Sequence, residues 1–187
     1  MSSSLRWTSA DLEVMPEDGK RYEIIDGELY VSKQPHFHHQ YTCTEISRQL
    51  GNWSKEGGGG RVLGAPGLIF ADDDDVAPDV VWLSDKRLAV SLQEDGKLHD
   101  APELVIEVLS PGLANAKRDR DAKLKLYSRR GVDEYWIVDW QMRRVEVFRR
   151  EAALHLIETL HEQDTLASPL LPGFACVVGS LFDKVSP

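Results

Sequence analysis

The sequence predicts a mixed α/β fold, a mixed β-sheet with helices on its faces, and three observations carry that prediction. Leu104-Val105-Ile106-Glu107-Val108-Leu109 is a nearly continuous apolar run, which reads as a central strand buried on both faces. Two hairpin patterns, near residues 21–31 and 134–148, bracket segments of helical spacing. The resulting order of helix, hairpin, helix, strands, helix, hairpin and short strands lacks the regular βαβ alternation of a doubly wound sheet.

Ser9, with Asp11 and Leu12 after it, has the form of an N-cap opening a short helix that ends near Met15-Pro16. Arg21–Ile25 and Glu28–Val31 flank Asp26-Gly27, the dipeptide whose left-handed turn suits a two-residue hairpin loop. From His38 to about Lys55, Tyr41, Ile46, Leu50 and Trp53 recur at roughly helical spacing, and Gly57–Gly60 end the run. That glycine quartet has no Lys-Ser or Lys-Thr after it, so it reads as a flexible connection rather than a phosphate loop. Strands are expected at Arg61–Leu63, Gly67–Phe70 and Val80–Leu83, with the acidic run Asp72–Asp75 as a solvated turn; it lacks a calcium loop's alternating ligands. Residues 86–100 read as a surface loop or short helix. Ser110-Pro111-Gly112 stop the central strand, and Asp119–Arg130 form a helix closed by Gly131. Glu134–Asp139 and Arg144–Phe148 make the second hairpin around Gln141-Met142, and short strands follow at Leu154–Leu160 and Phe174–Val178.

The 187 residues suit one domain, spanning 1–187. The chain carries 31 acidic against 22 basic residues, a net charge of −9, which argues against coating nucleic acid or membrane by bulk attraction. No run approaches the length of a membrane span, and Met1 to Trp7 lack the apolar core of a secretory signal, so a cytoplasmic protein is expected. The two cysteines, Cys43 and Cys176, have no CxxC partner; they read as buried thiols.

Glu107 is the informative residue, because an ionised carboxylate inside an apolar strand costs several kcal/mol unless a cation or hydrogen bonds compensate it. Pro78-Asp79, heading the strand Val80–Leu83, and Lys123 on the charged helix are candidate partners. Two carboxylates on neighbouring strands suit a hard divalent cation such as Mg²⁺, and a nearby lysine could orient the attacking water, help it lose a proton or neutralise charge on a phosphate transition state. From the spacing alone, a salt bridge between Glu107 and a lysine or arginine is the plainer reading.

Together these blocks resemble a known family. Arg21–Leu29, His39, Pro78-Asp79-Val80, Pro102–Pro111, Asp119–Tyr127 and Gly131–Asp139 occur in the order found in the Uma family of putative restriction endonucleases, within the PD-(D/E)XK nuclease superfamily. The resemblance runs from about Arg21 to Phe148. It implies a restriction-endonuclease-like core, a mixed sheet flanked by α-helices with a metal site at one edge, binding Mg²⁺ with Mn²⁺ as a substitute. By this resemblance Asp79 is the Asp of the PD element and Glu107 the acidic residue of (D/E)XK. Position 109, where the simple motif has its lysine, is Leu109. The resemblance moves that lysine to the following helix, at Lys123, with Lys125 in reserve; Lys123 and Tyr127 share a helix face, while Lys125 lies about 200° round. Glu23 matches a further acidic position that holds the metal or its water, and the Val108 carbonyl would be another ligand. DNA is the implied substrate and a homodimer the implied assembly, with the Tyr135-Trp136 hairpin, Arg143 and Phe148 as its edge.

Weaker constellations have plainer readings. His36-x-His38-His39 lacks an acidic or Cys partner at metal spacing, which disfavours zinc, although His39 matches a family histidine and could bind phosphate, position Glu23 or cap its helix. Tyr127, Tyr135 and Trp136 read as core aromatics. The leading functional expectation is a Mg²⁺-dependent DNA endonuclease using Asp79, Glu107, Lys123 and Glu23. Its alternatives are an inactive nuclease-fold module binding DNA or protein, and a metal-dependent hydrolase of another phosphate ester. Charge is split along the chain, since residues 72–107 hold eleven acids against three bases, whereas residues 117–130 hold seven bases against two acids. A locally basic active site, with DNA affinity falling steeply with salt, is therefore compatible with the acidic total.

Overall fold

The computed structural model describes residues 6–112 and 117–182. The first five residues of the stretch read for a secretory signal lie outside the described residues. Helix α1 (Ser9–Leu12) is capped by Thr8 rather than Ser9: the Asp11 carboxylate accepts from both the N–H and the hydroxyl of Thr8 at 2.8 Å. It stops at Leu12, short of Met15-Pro16. Strands β1 (Arg21–Ile25) and β2 (Glu28–Ser32) form the first hairpin with Ile25 opposite Glu28. Asp26 and Gly27 have φ of 53° and 74°, the left-handed pair that a two-residue hairpin needs.

Helix α2 (Phe37–Trp53) buries His39, Thr42, Ile46 and Leu50, one face at three- and four-residue steps. A wide helical turn, Ser54–Gly58, unwinds it, and strand β3 (Arg61–Gly64) follows. A Cβ on Gly60, itself at φ 72°, would lie 2.6 Å from the Leu83 carbonyl, so only glycine lets the chain enter β3 here. Next come β4 (Leu68–Ala71), β5 (Asp74–Val76) and β6 (Val80–Leu83).

Strand β5 corrects the reading of the acidic run. Asp74 and Asp75 are buried, not solvated. Asp74 accepts hydrogen bonds from the Arg129 and Arg130 guanidinium groups and from the Asp26 N–H, and these fixed positive partners offset the cost of burial.

Helix α3 (Asp85–Ser91) is capped by the Ser84 hydroxyl, which accepts from the Arg87 N–H. Strand β7 (Leu104–Val108) is buried throughout. Residues 118–123 form a wide helical segment that runs into α4 (Leu124–Arg130), which ends at Gly131 with φ 93°. Strands β8 (Glu134–Asp139) and β9 (Arg144–Arg150) make the second hairpin, followed by β10 (Leu154–His161), β11 (Thr165–Ala167) and β12 (Ala175–Val177).

The principal sheet has the order β10-β9-β8-β7-β6-β3, antiparallel except for β7 beside β8. A second sheet, β2-β1-β5-β4, carries the first hairpin, and β11 pairs with β12. One face of the principal sheet packs Val80, Trp82, Ile106 and Trp136 against Ile46 and Leu50 of α2. The other packs Val81, Val105, Tyr135 and Ile137 against Leu126 and Tyr127 of α4. Tyr127, Tyr135 and Trp136 are core residues, as their surroundings in the sequence imply.

The β8–β9 hairpin lies inside this sheet, not at its edge. Strand β10 covers β9, and Tyr135, Trp136 and Phe148 are buried, so this hairpin cannot supply the dimer edge expected from the sequence. The edges are β3 and β10, and in β10 Ile157 bulges out of the ladder between Leu156, opposite Phe148, and Glu158, opposite Val147.

Candidate active site

The antiparallel register of β6 and β7 sets Val80 opposite Ile106, so one step further Asp79 stands opposite Glu107. Side chains alternate along a strand, and Glu107 therefore shares the face of Val105 and α4. There Lys123 Nζ donates to Glu107 Oε1 at 2.8 Å and the Tyr127 hydroxyl to the same oxygen at 2.7 Å. Lys123 also reaches Glu23 Oε1 at 3.0 Å. Of the two lysines weighed for this role, Lys123 is fully buried in the cluster and Lys125 is exposed.

Asp79 is held from three directions. Its Oδ2 accepts the Val108 N–H at 2.9 Å and lies 3.2 Å from His39 Nε2, and its Oδ1 accepts from Arg21 at 3.0 Å. Burial alone would raise its pKa, but His39, Lys123 and Arg21 together hold it well below the carboxylate range. Glu107 behaves oppositely. Burial pushes it up to about 8 against the pull of Lys123, with Asp79, Asp119 and Glu23 adding repulsion. Lys123 stays a cation: burial disfavours its charge, yet Glu107 and Glu23 more than restore it. Glu23 is lowered despite burial, by Lys123 and Arg118, and its Oε1 also accepts the Ala77 N–H at 3.0 Å.

Asp79, Glu107 and Val108 line a cavity of about 190 Å³ whose wall also carries Arg21, His39 and Arg118, with Lys20 and Lys33 at its rim. Glu23 is not among the lining residues; it backs Lys123. Among the described residues, Glu107 Oε2 accepts no hydrogen bond. Leaving His39 aside, and with Glu107 ionised, the buried carboxylates Glu23, Asp79, Glu107 and Asp119 face the cations Arg21, Arg118 and Lys123, a surplus of one negative charge that protonation of Glu107 removes in the absence of a cation. A free carboxylate oxygen, a second carboxylate beside the cavity and unbalanced negative charge together fit a hard divalent cation.

The histidine cluster divides. His36 and His38 stack near Trp140, whereas His39 points inward, contrary to the expectation that no Cys or acidic partner stands at metal spacing. Its Nδ1 lies 3.6 Å from Cys43 Sγ, four residues along α2, and Asp79 arrives from β6, so the three ligand atoms fall within 4.8 Å of one another. Burial raises the Cys43 thiol far above its ordinary pKa. Cys176 is buried as expected, whereas Cys43 is half-buried.

The seven bases of residues 117–130 are mostly committed within the fold. Arg118 pairs with Asp119, Arg120 with Glu146, Lys123 with Glu23 and Glu107, and Arg129 and Arg130 with Asp74. The open basic helix expected beside the site is thus neutralised from within. Glu107 stood out in the sequence as a carboxylate in an apolar strand, with Asp79 and Lys123 as candidate partners, and the family resemblance added Glu23; the Arg21 and Arg118 contacts had no local signal.

The mixed sheet thus brings Pro78-Asp79 at the start of β6 against Glu107 near the end of β7, with Lys123 behind. The chain belongs to the Uma2 family, described as putative restriction endonucleases, whose model matches residues 9–179. It is similar in fold to a crystal structure of a putative nuclease belonging to DUF820 from Anabaena variabilis, at 19% identity and a TM-score of 0.75, over 94% of this chain and 97% of that one. Comparison with curated proteins gave no match. Among the described residues, no helix is long and apolar enough to cross a membrane.

Proposed function

We propose that this chain is a Mg²⁺-dependent DNA endonuclease, with Mn²⁺ able to substitute, working as one domain in the cytoplasm. The observation that carries the reading is the pairing of Asp79 and Glu107 across one cavity, with Lys123 bonded to Glu107. Asp79, Glu107 and the Val108 carbonyl would hold the ion. Within a strand a residue's N–H and C=O face the same neighbour, and the Val108 N–H points at Asp79. Continuing the β6–β7 register sets Val108 opposite Pro78, which has no N–H to occupy that carbonyl. The ion, when bound, supplies Lewis-acid polarisation of the phosphate and eases ionisation of the attacking water.

Lys123, a cation at neutral pH, holds Glu107 in place and offsets charge building on the phosphate; it is not the proton acceptor. Glu23 acts through Lys123, fixing its ammonium from the far side. His39 and Arg21 hold the Asp79 carboxylate in one orientation and ionised, and Arg21 and Arg118 give the cavity wall the positive charge a phosphodiester needs. Incubation of the purified protein with supercoiled plasmid and labelled oligonucleotides, with Mg²⁺, with Mn²⁺ and with chelator, tests the reading. Cleavage should require the ion and fall at least about 100-fold in Asp79→Ala and Glu107→Gln. Intact DNA under every condition, or variants as active as the parent, would refute it.

A further inference from the structure

The rings of His36, His38 and Trp140 form a cluster beside the cavity. His36 and Trp140 stack at 5.0 Å between centroids with 12° between planes, His38 lies 5.0 Å from Trp140, and the two histidines stack at 5.4 Å. Phe37 meets His38 edge-on at 5.3 Å and is 62% exposed. His36 is also exposed and Trp140 half-buried, so ring surface remains open to solvent.

The cluster is continuous with the cavity on both sides. Pro35 and His39, flanking the histidine pair in the chain, line the cavity. Trp140 Nε1 donates to the Leu109 carbonyl at 2.9 Å, between cavity-lining Val108 and Ser110.

Resting on the nuclease reading, we infer that this His36–His38–Trp140 cluster receives an unpaired nucleobase next to the phosphate in the cavity, so the preferred substrate is a single strand or a duplex with an extruded or frayed nucleotide. The charge distribution favours this occupant. With net charge −9 and five of the seven bases of residues 117–130 paired internally, few free cations are left beside the cavity among the described residues for gripping phosphates. Stacking on a ring supplies affinity without them and is open to any base, because every base has a π-face. Bases in an intact duplex hide those faces against each other. Lys20, Lys33 and Arg21 at the adjoining cavity complement the backbone phosphates, a charge pattern that favours a polyanion over an apolar protein partner.

Fluorescence anisotropy with Ca²⁺ in place of Mg²⁺ tests the inference, using a labelled single strand, the same strand built of abasic residues, and a blunt duplex. The base-bearing strand should bind about tenfold tighter than the abasic one, and tighter than the duplex. His36→Asn, which keeps a helix-capping side chain, combined with Trp140→Leu should erase that tenfold preference while leaving abasic binding unchanged, and Trp140→Phe should retain it. Equal affinity of the wild-type protein for the base-bearing and abasic strands would overturn the inference while leaving the nuclease reading intact, and so would a preference for blunt duplex; both arms use the unmodified protein and do not depend on a variant folding. No binding to any of the three would sink the nucleic-acid reading and this inference with it.

Discussion

Glu107 is the residue where stability and the proposed function oppose each other. Its folded-state pKa, raised to about 8 from an ordinary value of 4.5, means that the metal-free fold prefers it protonated. The linkage has a definite sign: the stability this preference contributes is fully present below pH about 4.5 and is lost as pH rises through about 8. Glu107→Gln mimics the protonated form and keeps an acceptor for Lys123 and Tyr127. In chelator, its melting temperature should match the wild type near pH 5 and exceed it at pH 8, and Mg²⁺ should narrow the gap at pH 8 by stabilising only the wild type. Parallel melting curves across that range would contradict the charge surplus at the site.

At the scale of elements, the site depends on β5 and α4 being tied together. Arg129 and Arg130 clasp Asp74, and Arg129 also reaches Asp26 of the first hairpin turn, so one buried carboxylate joins α4 to the second sheet. Asp74→Ala should cost about 2 kcal/mol in urea unfolding at pH 7, discounted because both arginines are partly exposed. Burial would raise the Asp74 pKa, but the Asp26 N–H and the two arginines lower it, so its contribution is present above the ordinary carboxylate range and lost as pH falls below about 4. The gap between wild type and variant should therefore close in acid.

Most of the elements were legible from local pattern. Val80–Leu83 has the bounds read from its apolar run, and the Asp26-Gly27 hairpin has the register its turn dictates. Strand β5 was not legible, because nothing near Asp74 in the chain reveals that arginines more than fifty residues away offset its burial. Lys123 was a candidate from its place on the charged helix and took its role from the family resemblance, whereas the His36–Trp140 stack joins residues about a hundred positions apart and has no local periodicity.

For the whole molecule, the internal pairing of the basic segment changes the expected response to salt. The cations that line the cavity are Lys20, Arg21, Lys33 and Arg118, of which Lys20 pairs with Asp18, Arg21 with Asp79 and Arg118 with Asp119. At about 0.9 ion released per phosphate contact, log affinity for duplex DNA should fall with log salt at a slope no steeper than about −4. Titrations between low and physiological salt measure it directly, and a slope near −7 would mean that the arginines of residues 117–130 leave their carboxylates to bind DNA.

The extra residue in β10 would hinder edge-to-edge pairing between copies of this chain when concentrated or partly unfolded. Leu156 and Ile157 are 51% and 43% exposed on the open flank of a six-stranded sheet, a surface able to template an intermolecular cross-β ladder. The interruption at Ile157 breaks the straight row of N–H and C=O groups such a ladder would need. Deleting Ile157 would restore an unbroken row opposite Phe148 and Val147, and light scattering during mild heating should then rise sooner than for the parent. On that outcome, Ile157 would act as a guard against edge-to-edge association.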